Sequence, residues 1–249
     1  MAMPVADLSR FQRIDTWIFD LDNTLYPPHA DLWPKVDQKI TQYISHLLGV
    51  DGLSARALQK YYYAQHGTTL NGLMQEHGID PHAFLAFVHD IDRSTLEPDA
   101  RLGEAIARLP GRKLVFTNGS RGHALQTMQA LGIDHLFEDV FDIVSASFVP
   151  KPARAPYEGF LVAHAIDPAC AAMFEDIPKN LMVPHEMGMA TVLVVPGARG
   201  SNKDAWDKAI DHADGAHAPA YDAITHDLPD FLDRLSLLLG KGLLPSPKA

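Results

Sequence analysis

Five short apolar runs, at residues 17–21, 113–117, 140–145, 172–175 and 190–195, are rich in β-branched and aromatic side chains. None alternates polar with apolar residues, as a strand with one wet face does. Continuous apolar runs belong to strands covered on both faces. From the second run onward, segments with helical spacing separate them, at 124–131, 155–165 and 181–187. The first of these stops at Gly132, a residue suited to the left-handed turn that ends a helix. Strand–helix alternation predicts a parallel sheet with right-handed crossovers, the α/β class.

The first two runs are separated by about ninety residues with no comparable strand, too long for a loop. Helical spacing recurs there at 32–48, 55–64, 70–77 and 82–91, with Asp80-Pro81 as a start signal for the last. An all-helical block inserted into the sheet domain is the simplest account, and Glu97-Pro98-Asp99 marks the return. The expected division is a core of 1–26 and 98–240, an insert of 27–97 and a loose tail of 241–249. Within the core, 197–219 reads as a polar connector with a short helix near Trp206, Ile224 as the start of a sixth strand, and 228–239 as a closing helix.

Composition narrows the function. With 21 Lys and Arg against 31 Asp and Glu, the net charge is −10, which disfavours nucleic-acid polymers and anionic membrane surfaces as partners. No apolar run is long enough to span a bilayer. A single cysteine, Cys170, and an N-terminus without an apolar signal core fit a reducing cytoplasm. The 13 histidines show no pair with zinc spacing beside other ligands, and read as surface or capping groups. A monomer or small homo-oligomer is expected.

Chemistry-bearing residues fall at the ends of four runs. Asp20-Leu21-Asp22-Asn23-Thr24 follows the first. Two aspartates two residues apart on an extended chain point the same way and repel unless a cation lies between them. Thr117-Asn118-Gly119-Ser120 ends the second, where a hydroxyl, an amide and backbone N–H groups before a helix form an anion cradle or an ordinary helix cap. Lys151 follows the third. Glu175-Asp176 ends the fourth, an acid pair suited to a hard divalent cation or to capping a helix. All four places lie at the carboxyl ends of parallel strands, where open α/β sheets bind ligands.

In this order the residues resemble the haloacid dehalogenase superfamily. Asp20, Asp22 and Thr24 match its Asp-x-Asp-x-Thr motif, Thr117 its second motif, Lys151 its third, and Glu175 with Asp176 its fourth. The segments 67–73, Val88-His89-Asp90, and Phe116-Thr117-Asn118-Gly119 with Arg121 and His123 resemble its pyrimidine 5′-nucleotidase-like branch. The resemblance covers about residues 15–200. It implies a Rossmann-like parallel-sheet core with an inserted all-helical cap, placed just after the first motif. One departure is Asn180, where many members carry a second aspartate.

The resemblance implies a magnesium-dependent phosphomonoesterase acting through an aspartyl-phosphate, on nucleoside 5′-monophosphates or similar small phosphorylated metabolites. Asp20 is then the nucleophile, and Asp22 the acid and later the base. Thr117, Asn118 and Lys151 hold phosphate. The magnesium ligands are Asp20, the Asp22 backbone carbonyl and Asp176, with Glu175 as a further candidate. Lys151 also orients Asp20. Trp33, Tyr61, Tyr62 and Tyr63 are candidates to stack on a base, and Thr68, Thr69 and Asn71 to touch the leaving group. A phosphosugar mutase and a non-catalytic binding module are the alternatives, the latter disfavoured by the intact acids.

Overall fold

A computed structural model describes residues 8–195 and 221–242. The expected connector at 197–219, its helix near Trp206 and most of the expected tail lie outside the described residues. Six strands form one parallel sheet in the order β3-β2-β1-β4-β5-β6. They are β1 (Thr16–Phe19), β2 (Arg112–Phe116), β3 (Asp139–Phe141), β4 (Ala171–Glu175), β5 (Ala190–Val194) and β6 (Ala223–Thr225). Alternation along each strand explains the continuous apolar runs. Trp17 and Phe19 enter one core layer with Val115, Phe174 and Val192. Ile18 enters the other with Leu114, Phe116 and Met173. Both faces are therefore dry, and Phe19 and Phe174 stack across β1 and β4 at 4.7 Å.

Four helices lie between β1 and β2: α1 (Leu32–Leu48), α2 (Gly52–His66), α3 (Thr69–His77) and α4 (Pro81–Val88). They bury a cluster of their own, including Ile44, Tyr62, Leu73, Phe84 and Val88, into which the core contributes Ile143. Their starts follow from side-chain caps. Asp51, Thr68 and Asp80 accept backbone N–H groups at the first turns of α2, α3 and α4. The fifth helix, α5 (Ala100–Ala107), is capped by Asp99 and was not expected from the sequence pattern. It packs with α9 (Leu228–Gly242) against the first core layer. The remaining α-helices among the described residues are α6 (Arg121–Leu131), α7 (Arg154–His164) and α8 (Met182–Glu186).

Three expectations need correction in detail. The third run is strand only to Phe141. Asp142 then accepts the N–H groups of Arg121 and Ser145 and turns the chain. The last insert helix stops at Val88 rather than residue 91, because the chain turns at His89. The closing helix runs to Gly242, into the expected tail.

Candidate active site

β1 is the centre of the sheet, and its neighbours β2 and β4 lead away on opposite sides, so a crevice opens at its carboxyl end. Asp20 extends the ladder by one bond, its N–H donating to Phe174 O at 2.9 Å. The chain then turns, with Asn23 left-handed at φ 62° and Leu25 N–H donating to Leu21 O. Asparagine tolerates that conformation better than most side chains.

Lys151 lies at the bottom of the crevice and is 2% exposed. Its ammonium donates to Asp20 Oδ1 at 2.8 Å, Phe116 O at 2.8 Å and Glu175 Oε1 at 2.9 Å. Three donors meet three acceptors, so each phosphate contact by Lys151 replaces or shares one of these bonds. Burial alone would push the ammonium down, but the Asp20 and Glu175 carboxylates raise it and hold it protonated. Burial raises the Asp20 carboxyl; Lys151 opposes, while Glu175, Asp176 and Asp22 push it further up. One ammonium thus lies between the Asp20 and Glu175 carboxyl groups.

Glu175 accepts three bonds. Its Oε1 accepts from Lys151 and from Asn180 Nδ2 at 2.6 Å, and its Oε2 accepts from Ile177 N at 2.7 Å. Asp176 is more open. Oxygens of Asp20, Glu175 and Asp176 lie within 4.8 Å of one another. The Asn180 Oδ1 is buried and has no hydrogen-bond partner.

Thr117 is 1% exposed, and its hydroxyl oxygen accepts Gly119 N–H at 2.9 Å. The side chain of Asn118, expected on phosphate, is engaged elsewhere. It accepts Lys151 N–H at 2.8 Å and donates to Lys151 O at 3.2 Å. Asn118 thus clamps the backbone that carries Lys151. Ser120 caps α6, as the plain reading of that turn expects.

Asp22 faces a different set. Its Oδ1 accepts from Tyr26 Oη at 2.5 Å and lies 2.9 Å from His123 Nε2. Burial would raise this carboxyl, but the hydrogen bonds from His123 and Tyr26 lower it. His123 is 1% exposed, so the expectation of surface or capping histidines fails here. Its signal was available: it stands three residues after the Ser120 cap, on the first turn of α6, in the motif already singled out.

Insert residues Trp33, Tyr63, Thr68 and Thr69 line the same cavity as Asp20, Asp22 and Lys151. Among the other expected contacts, Tyr61 is 49% exposed, whereas Tyr62 is buried with its hydroxyl 2.6 Å from His77 Nε2. Asn71 donates to His66 O and stands outside the cavity lining. Thr68 lines the cavity while capping α3.

A model of the haloacid dehalogenase-like hydrolases, a hydrolase family, matches residues 14–188. The chain belongs to this family. It is 28% identical over 195 residues to Phosphate metabolism protein 8 of Saccharomyces cerevisiae, covering 71% of this chain and 60% of that protein, so it spans about three fifths of that relative's length. It is 28% identical over 195 residues to the phosphoglycolate phosphatase of Pasteurella multocida, covering 70% and 82% respectively. Among solved structures, a HAD phosphatase from Thermococcus onnurineus superposes with a TM-score of 0.58 at 15% identity, over 91% of this chain and 98% of that one. The L-2-haloacid dehalogenase from Xanthobacter autotrophicus gives 0.53 at 15% identity, over 92% and 99%. These likenesses show the fold of the hydrolase family. Among the described residues no helix is long and apolar enough to cross a membrane.

Proposed function

We propose that the protein is a magnesium-dependent phosphomonoesterase that works through phosphorylated Asp20 on small phosphate esters, nucleoside 5′-monophosphates first among them. The observation that carries this reading is the pair of aspartates with opposite surroundings. Asp20 is held by an ammonium at the bottom of the crevice, and Asp22 is held by a tyrosine and a histidine at its side. Two carboxyl groups in distinct environments suit two roles. The Pasteurella relative, named a phosphoglycolate phosphatase, supports a small phosphate ester. Trp33 and Tyr63 at the cavity support a flat leaving group.

The residues fit a divalent cation. Three carboxylates converge, their charge exceeds what Lys151 neutralises, and Asn180 Oδ1 adds a buried acceptor without a donor. Asp20, Asp176 and the Asp22 backbone carbonyl would hold it, with Glu175 behind them because its oxygens already accept three bonds. Bound magnesium supplies positive charge that offsets repulsion between the phosphate and the attacking carboxylate.

Asp20 attacks phosphorus through the oxygen that does not hold Lys151. A phosphorus–oxygen bond forms as the bond to the alkoxide breaks, and Asp22 gives the alkoxide its proton. Asp22, ionised in the free protein, takes that proton from solvent when the incoming phosphate dianion raises its proton affinity. Asp22, now ionised, takes a proton from water, which attacks the phosphorylated Asp20 and frees phosphate. The Thr117 hydroxyl and the backbone N–H groups of the 118–120 turn bind phosphate oxygens, and Lys151 balances charge.

A phosphate-release screen over nucleoside monophosphates, sugar phosphates and short acid phosphates, with and without magnesium, tests the reading. Release that needs magnesium and is lost in Asp20→Asn supports it. Release undiminished in excess chelator rejects it, and conversion of a sugar phosphate to its isomer with little free phosphate points to a mutase.

A further inference from the structure

The two oxygens of Asp22 are not equivalent. Oδ1 accepts from Tyr26 Oη and His123 Nε2, at 2.5 and 2.9 Å. Oδ2 faces the phosphate-side turn: a Cβ built on Gly119 would lie 3.7 Å from it. That same Cβ would lie 3.3 Å from His123 Cδ2, so the glycine leaves room for the imidazole beside the carboxyl group.

The far side of His123 explains its hydrogen. Arg93 Nη2 lies 2.9 Å from His123 Nδ1. A guanidinium only donates, so Nδ1 must accept. The ring proton therefore sits on Nε2 and points at Asp22 Oδ1. Arg93 is itself fixed: Nη1 donates to Ile91 O at 3.1 Å and Nη2 to His89 O at 3.2 Å. Both carbonyls lie just after α4, where the insert returns to the sheet domain. The His89 ring stacks on His123 at 4.4 Å and 17°, and its Nδ1 lies 2.8 Å from Ser120 Oγ. A continuous set of contacts therefore runs from the return segment of the insert, through Arg93 and His123, to one oxygen of Asp22.

We infer that His123, with its tautomer set by Arg93, is the positioning residue that pins Asp22 Oδ1 and so presents Oδ2 as the atom that exchanges the proton. This rests on the phosphomonoesterase reading for the identity of the proton acceptor, and on geometry alone for the arrangement. In the first half-reaction the proton on Oδ2 passes to the leaving alkoxide as its bond to phosphorus breaks. In the second, Oδ2 takes a proton from the attacking water. Without the imidazole, the carboxyl group rotates about its last bond, and either oxygen turns toward Tyr26. His123 does not touch the substrate, so its loss lowers the rate without weakening binding.

The experiment compares His123→Leu with His123→Gln, whose amide places a donor near Nε2 and an acceptor toward Arg93. On an alkyl phosphate, His123→Leu is expected to lower kcat by about 10²-fold, within the usual range for a general acid, with KM little changed. Formation of phosphorylated Asp20 from p-nitrophenyl phosphate should slow far less, because that leaving group needs little protonation. His123→Gln should recover most of the alkyl rate. Equal losses on alkyl and aryl esters, a raised KM with kcat intact, or no recovery in the glutamine variant overturns the inference. A second measurement does not need turnover. In nitrogen-15 histidine NMR of the full chain, His123 should show the neutral Nε2–H tautomer, and Arg93→Met should abolish that fixed state. A proton on Nδ1 in the unmodified protein overturns the arrangement. Failure of every ester to react in the unmodified protein would instead sink the phosphatase reading, with the tautomer still deciding the positioning.

Discussion

Replacing Lys151 with methionine tests whether the buried ion cluster is held by one ammonium. The side chains of Lys151, Asp20 and Glu175 are 1%, 9% and 1% exposed, so water cannot replace the missing charge. Methionine fills much of the volume but leaves the carboxyl groups uncompensated. One further carboxyl must then take a proton. For a carboxylate with an ordinary pKa near 4, that costs about 3 pH units at pH 7, or about 4 kcal/mol. This agrees with the roughly 3–5 kcal/mol seen when one partner of a buried ion pair is removed. The sign follows from linkage. The variant's folded state binds the extra proton, so its deficit is largest at high pH and shrinks by about 1.4 kcal/mol per pH unit toward pH 4. Urea unfolding of both proteins in excess chelator, at pH 7 and pH 5, should give a difference near 4 kcal/mol that falls to about 1–2 kcal/mol. A difference that is small at pH 7, or the same at both pH values, refutes the charge argument and leaves only packing.

Asp22→Asn should keep the bond from His123 while losing the transferable proton. A p-nitrophenyl ester should then give a burst about equal to enzyme and stall, with phosphorylated Asp20 detected by intact mass; neither burst nor adduct would unseat the two roles of Asp22. His89 is held down to about 3, chiefly by its burial. The unfolded chain takes up this proton first, so stability is lost as pH falls from about 6.5 toward 3, by up to about 1.4 kcal/mol per unit. In His89→Gln that slope should be shallower, as measured by urea unfolding at pH 6.5 and 5; an unchanged slope removes His89 as its source. Gly111→Ala should destabilise by about 2 kcal/mol or more, read as a lower unfolding midpoint. Gly111 has φ +77°, and a Cβ there would sit 2.0 Å from Asp15 O, which is backbone and cannot turn aside. A near-neutral effect would mean the turn before β2 can shift.

The sheet is legible in the sequence, because continuous apolar runs have no stable place except between two dry faces, as Ile18 and Phe19 on opposite layers show. The sequence also places Asp20, Thr117 and the Glu175-Asp176 pair at strand ends, since a short polar motif after an apolar run carries its own position; Lys151 instead stands ten residues beyond β3, in the loop before α7. α5 was missed: its eight residues, Ala100–Ala107, are started by a cap that a loop could equally contain. What tertiary structure alone decided is which atom faces which. Asn118 reads from sequence as a phosphate ligand, yet its amide closes on the backbone of Lys151, 33 residues away. His123 reads as one histidine among many, yet it meets Asp22 across 101 residues and Arg93 across 30. Such contacts depend on crossover geometry and on which rotamers the packed neighbours allow, and no local spacing in the chain encodes either.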